Sequence, residues 1–136
     1  MYEEYGEEVE FLVIYIREAH AIDSTWPMGG NGHPLVEEPI TAEERAAVAT
    51  QCMTKLDMSP MRMLMDDMED STGWDYAAWP DRLFLVDLKG KIAYSGARGP
   101  MGFRPDQLEQ AIRAELGLPG EKDEGESKPR KGPQDI

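Results

Sequence analysis

The chain has 136 residues, the size of one small domain, and 40% of them are apolar, enough to build a compact core. With 14 Lys and Arg against 27 Asp and Glu, the formal net charge is −13. That balance excludes nucleic-acid and anionic-membrane partners, whose phosphates repel such a surface. No apolar run approaches the roughly 20 residues needed to span a bilayer. The first ten residues hold Glu3, Glu4, Glu7, Glu8 and Glu10 where a secretory leader would be basic and then apolar. The expectation is a cytoplasmic protein. Cys52 is the only cysteine, so no internal disulfide, Cys-based metal cluster or two-cysteine redox motif can form.

Met1 to Glu10 reads as the end of a first helix, and Phe11 to Ile16 is a short apolar, β-branched run without alternation, as expected of a parallel strand covered on both faces. Arg17 to Ile40 contains Pro27, Gly29, Gly30, Gly32, Pro34 and Pro39, which predicts a long loop. Thr41 with Glu44 three residues on has capping-box spacing, each side chain serving the other's backbone N–H, and opens a helix to about Leu56. Met61 to Met65 is a second apolar strand after Pro60, and Asp66 to Trp79 an acidic loop or short helix. Arg82 to Asp87 and Lys91 to Ser95 predict a hairpin with a positive φ at Gly90. Gly96 to Gly102 is a glycine-rich turn around Arg98. Pro105 then opens a helix with Leu108, Ile112 and Leu116 at helical spacing, which Gly117 and Pro119 stop. The charged tail over 119–136 is expected to be disordered, leaving one domain over 1–118.

This order predicts an α/β fold of thioredoxin-like type that lacks its first strand: a mixed sheet with a C-terminal antiparallel hairpin and a final helix. The missing strand would lie between the strands at Phe11 and Arg82, which would each keep an unpaired edge. Such edges predict a homodimer or aggregation.

Four strings in order carry a family resemblance: Phe11-Leu-Val-Ile-Tyr-Ile-Arg-Glu-Ala-His20, Glu43-Glu44-Arg45, Tyr76-Ala-Ala-Trp-Pro-Asp-Arg-Leu-Phe84, and Ile92-Ala-Tyr-Ser-Gly-Ala-Arg-Gly-Pro-Met-Gly-Phe103. On these the chain resembles the iodothyronine deiodinases, selenoprotein oxidoreductases of thyroid hormone metabolism. The resemblance implies that the chain is the larger, C-terminal part of such a protein, beginning just after the segment that carries the catalytic selenocysteine or cysteine. It implies reductive dehalogenation of an iodinated phenol of thyroxine type, an external thiol reductant, no further cofactor, and a short form that is inactive by itself. An in-frame UGA codon upstream of Met1, read as a stop, is the origin this raises. A thioredoxin-like or peroxiredoxin-like thiol oxidoreductase on another substrate, or a non-catalytic thioredoxin-like binding module, stays open as an alternative.

The same resemblance assigns site residues. Glu18 and His20 match a carboxylate and an imidazole at the end of the central strand, with His20 placed to hold the substrate phenol or give a proton to the carbon that loses iodide. Arg98 matches a substrate-clamping arginine, and a guanidinium suits a carboxylate or phenolate. Asp81 stands where the family has a glutamate in a proton relay, and Trp79 where vertebrate members have a tyrosine. An indole N–H donates but does not shuttle a proton as a phenol does. A second family histidine aligns with Pro39, with His33 nearby but out of register. From the residues alone, Cys52 is core packing, the methionines from Met53 to Met68 are core filler, and Asp66, Asp67, Glu69, Asp70 and Asp75 form a solvated acidic turn with no cation-binding spacing. No metal site is expected.

Overall fold

The computed structural model describes residues 1–19 and 37–120. The predicted long loop falls largely on 20–36 and the predicted tail on 121–136, both outside the described residues. The elements are α1 (Tyr2–Tyr5), β1 (Leu12–Tyr15), α2 (Ala42–Lys55), β2 (Arg62–Met65), α3 (Ser71–Asp75), β3 (Phe84–Val86), β4 (Ile92–Ser95) and α4 (Pro105–Glu115). Among the described residues no helix is long and apolar enough to cross a membrane.

Each element begins and ends where local chemistry dictates. Thr41 is extended (φ −127°, ψ 161°) and its hydroxyl accepts from Glu44 N–H at 3.2 Å, as a capping box requires. The reciprocal half differs from expectation. The Glu44 carboxylate accepts from Ile40 N–H at 2.8 Å, one residue earlier than the box prescribes. Pro105 occupies the first turn of α4 and Gly117, at φ 68°, follows its end in the left-handed region open to glycine. In the hairpin turn Gly90 has φ 77°, while the Asp87 carboxylate accepts from Lys89 N–H at 2.8 Å and Lys91 N–H at 2.9 Å.

The strands form two small sheets and not the single mixed sheet expected. β1 pairs in parallel with β2, Leu12 opposite Arg62 through Tyr15 opposite Met65. β3 pairs antiparallel with β4, with an irregularity between Leu85 and Val86. Among the described residues no ladder joins the two sheets. α2 packs on β2, and α4 covers β3 and β4.

The core sits under the hairpin. Leu85 meets Leu108 and Ile112 from α4, and Tyr5 arrives from the acidic N-terminal segment. Tyr5 is buried although glutamates surround it in sequence, because its hydroxyl donates to Glu109 Oε1 at 2.8 Å and accepts from Arg113 at 2.9 Å. Phe11, Val9 and Met1 pack against the same cluster. This ties the segment before β1 to the last helix and fixes where β1 points.

Candidate functional site

The C-terminal end of β1 delivers Ile16 and Arg17 to one wall of a cavity of about 200 Å³. Asp70, Gly73, Trp74 and Ala77 from the α3 segment line it, with Trp79 and Arg98.

The α3 segment is held by groups within it. Asp66 is almost wholly buried, and its carboxylate accepts from the backbone N–H of Asp67 at 2.9 Å, Thr72 at 3.0 Å and Gly73 at 2.8 Å. Burial alone would raise its pKa; these three donors outweigh burial and hold it below the usual aspartate value. Asp67 accepts from Glu69 N–H at 3.1 Å and Ser71 N–H at 3.0 Å. Asp70 adopts a left-handed conformation (φ 60°), which aspartate tolerates, and pairs with Arg45 at 2.9 Å. Arg45 is 2% exposed and also donates to the Asp67 carbonyl at 2.6 Å. The acidic turn expected to be solvated is therefore a built structure: Asp66 is interior, and Asp70 is neutralised by a buried arginine from α2.

The opposite side is stapled by Arg82. Its guanidinium donates to the carbonyls of Gly96 at 2.6 Å and Tyr76 at 2.9 Å and to the Ser95 hydroxyl at 3.1 Å. These bonds join the end of the α3 segment to the end of β4, and so place Trp79 across from the turn that carries Arg98. That turn also rests on Asp81. Gly99 N–H donates to the Asp81 carbonyl at 2.9 Å, and a Cβ at Gly99 would run into both oxygens of the Asp81 carboxylate. Asp81 Oδ2 is buried and makes no hydrogen bond among the described residues.

Of the residues singled out from the sequence, Trp79 and Arg98 share this cavity. Asp81 does not line it but supports the Arg98 turn. Glu18 also lies off the cavity lining; its carboxylate accepts from the Tyr15 hydroxyl. Burial first, and then this bond, push the Tyr15 phenol strongly up. His20 and His33 lie outside the described residues. Cys52 is half-buried, and burial followed by the nearby Glu18 charge raises its pKa, the opposite of what a nucleophilic thiol needs. Among the described residues no cluster of three or more His, Cys, Asp or Glu is placed to hold a metal ion.

Among the cavity residues not singled out, two carry a charge or an aromatic ring: Arg17, whose guanidinium lies 5.1 Å from the centre of the Trp79 ring, and Trp74, which is 76% exposed. Arg17 stands inside the Tyr-Ile-x-Glu-Ala-His string at its variable position. Trp74, a large aromatic in a polar segment, was the available signal. Two indoles and two guanidinium groups, one of them over the Trp79 ring, therefore line the cavity together with Asp70, whose carboxylate is paired with Arg45.

The iodothyronine deiodinase family model matches residues 1–115, and the chain belongs to that family. It is 34% identical over 105 residues to a type I iodothyronine deiodinase of Xenopus laevis, covering 77% of this chain and 39% of the relative. A type II iodothyronine deiodinase of Aquarana catesbeiana is 28% identical over 122 residues, 89% of this chain and 46% of the relative. The human thyroxine 5-deiodinase is 30% identical over 104 residues, 76% of this chain and 33% of the relative. The chain therefore spans less than half the length of these relatives, a smaller share than the sequence reading implied.

Proposed function

We propose that the protein acts as an oxidoreductase that removes iodine reductively from an iodinated phenol of thyroxine type. The observation that carries this is the meeting of Trp79 and Arg98, assigned from separate strings of sequence, in the wall of one cavity in a chain of the deiodinase family. Arg98 would bind the phenolate or a carboxylate, and Trp79 would stack on the ring. His20, five residues past the end of β1 in the sequence, is the proposed proton donor to the carbon that loses iodide, with Glu18 and Asp81 as supporting carboxylates. Cys52, with its raised pKa, is not the nucleophile. A selenocysteine or cysteine in a segment preceding Met1 would take the iodine from the ring carbon as that carbon takes the proton, forming a selenenyl or sulfenyl iodide, and two equivalents of an external thiol would release it as iodide, restoring the selenol or thiol and ending as a disulfide.

The same reading extends to the fold. The two small sheets are the flanks of a thioredoxin-like sheet whose central strand comes from that preceding segment. Its support is that, among the described residues, β1 and β3 each pair on one side alone. The test is iodide release from thyroxine, with dithiothreitol, by a form extended through the codons upstream of Met1. Release that falls when Arg98 is replaced by Ala supports the reading; an extended form carrying a selenocysteine or cysteine that releases none refutes it.

A further inference from the structure

The acidic residues beside the cavity are already engaged. Asp66 and Asp67 accept from backbone N–H groups, and Asp70 is paired with Arg45. Asp81 stands against Gly99 and not in the lining. The charge left facing the cavity is that of Arg17 and Arg98. Among the described residues neither Arg98 nor Arg17 makes a side-chain hydrogen bond or ion pair, and the Arg17 guanidinium lies over the Trp79 ring. In a chain whose net charge as a whole is −13, this is the local exception, a cationic recess that selects an anion.

Size limits what enters. The cavity measures about 200 Å³, below the roughly 300–1,000 Å³ of sites that enclose drug-sized ligands. The recess is open on one side, and the space within its walls is that of one substituted ring.

We infer that Arg17 and Trp74, together with Trp79 and Arg98, form a seat for a single ionised aromatic ring, so that the protein recognises one halogenated phenolate ring and not a two-ring substrate as a whole. Ortho halogens suit this seat, because they withdraw electrons and keep a phenol ionised near neutral pH. Trp74 supplies a stacking face that is already exposed, and Arg17 is held over Trp79 before any ligand arrives, which limits the ordering cost of binding. The choice of an iodinated phenol as ligand rests on the function proposed above.

The experiment is calorimetric titration of the 136-residue chain with a phenol bearing iodine at both ortho positions, at a pH where it is ionised, and with its O-methyl ether. The phenolate should bind at least about tenfold more tightly than the ether, and thyroxine no more than about tenfold more tightly than the phenolate. Arg17→Gln and Trp74→Ala should each weaken phenolate binding about tenfold, the scale of one cation–π or aromatic contact. Equal binding of phenolate and ether, wild-type affinity in both variants, or no detectable binding overturns the inference. The two readings fail separately. Phenolate binding in this pattern by a protein whose extended form releases no iodide leaves the seat standing without the reaction. Iodide release with an unchanged KM in Arg17→Gln and Trp74→Ala leaves the reaction standing without the seat.

Discussion

Replacing Arg45 by Met tests whether α2 holds the cavity wall through one buried side chain. Methionine keeps most of the apolar stem and removes the charge. Arg45 is 3% exposed at the side chain and its partner Asp70 is 21% exposed. Removing one partner of a fully buried pair costs about 3–5 kcal/mol, and the partial access of water to Asp70 reduces that to about 2–3. The Asp67 carbonyl also loses its donor, worth about 1 kcal/mol. Against this, Arg45 Nε is buried without a hydrogen bond among the described residues, and losing that orphan recovers about 1 kcal/mol. The net expectation is a loss of about 2–3 kcal/mol, read as a lower midpoint in urea with an unchanged slope. A double-mutant cycle with Asp70→Asn should show a coupling of about 1–2 kcal/mol. A variant within about 0.5 kcal/mol of wild type, the scale of ordinary surface substitutions, or a cycle with no coupling, refutes the role given to Arg45.

Three further outcomes follow from the same geometry. Asp66 titrates below its ordinary value of 3.8, so its contribution is complete above that pH and is lost as pH falls through the lower folded value. Asp66→Asn should therefore cost about 1–2 kcal/mol at neutral pH, with the gap to wild type closing below pH 3.8; a gap that widens in acid contradicts the account. Gly99→Ala should destabilise the protein by about 1–3 kcal/mol through the clash with Asp81. Much of that should return when Asp81 is also changed to Ala, and thermal melts that show no recovery argue against the contact. Cys52, its thiol raised by burial and by Glu18, should alkylate with iodoacetamide more slowly at neutral pH than a free thiol such as glutathione; an equal or faster rate shows a reactive cysteine.

Much of the backbone was legible because its signals are local. The apolar run at Phe11, the Thr41 cap, the Gly90 turn and Pro105 each act within a few residues, and each element formed where they stand. Trp79 and Arg98 could be picked out as strings, although 19 positions separate them, since the strings themselves are distinctive. What could not be read is what distant partners decide. Asp66 looks like any surface aspartate until Thr72 and Gly73 fold back to it. Arg45 looks like helix surface until Asp70 meets it across 25 positions. Tyr5 lies among glutamates, and its burial depends on Glu109 and Arg113 at the far end of the chain. Two sheets appeared in place of one because pairing is set between strands far apart in the chain, which the pattern of any single strand does not encode.

The central proposal is that this chain supplies the substrate-handling part of a deiodinase and that the nucleophile lies in a segment before Met1. The most direct measurement is iodide released per hour with dithiothreitol from a phenol iodinated at both ortho positions, comparing the 136-residue chain with a form extended through the upstream codons. The account predicts release by the extended form, none by the short chain, and a strong loss in the extended form with Arg98→Ala. Release by the short chain that disappears with Cys52→Ser would contradict it.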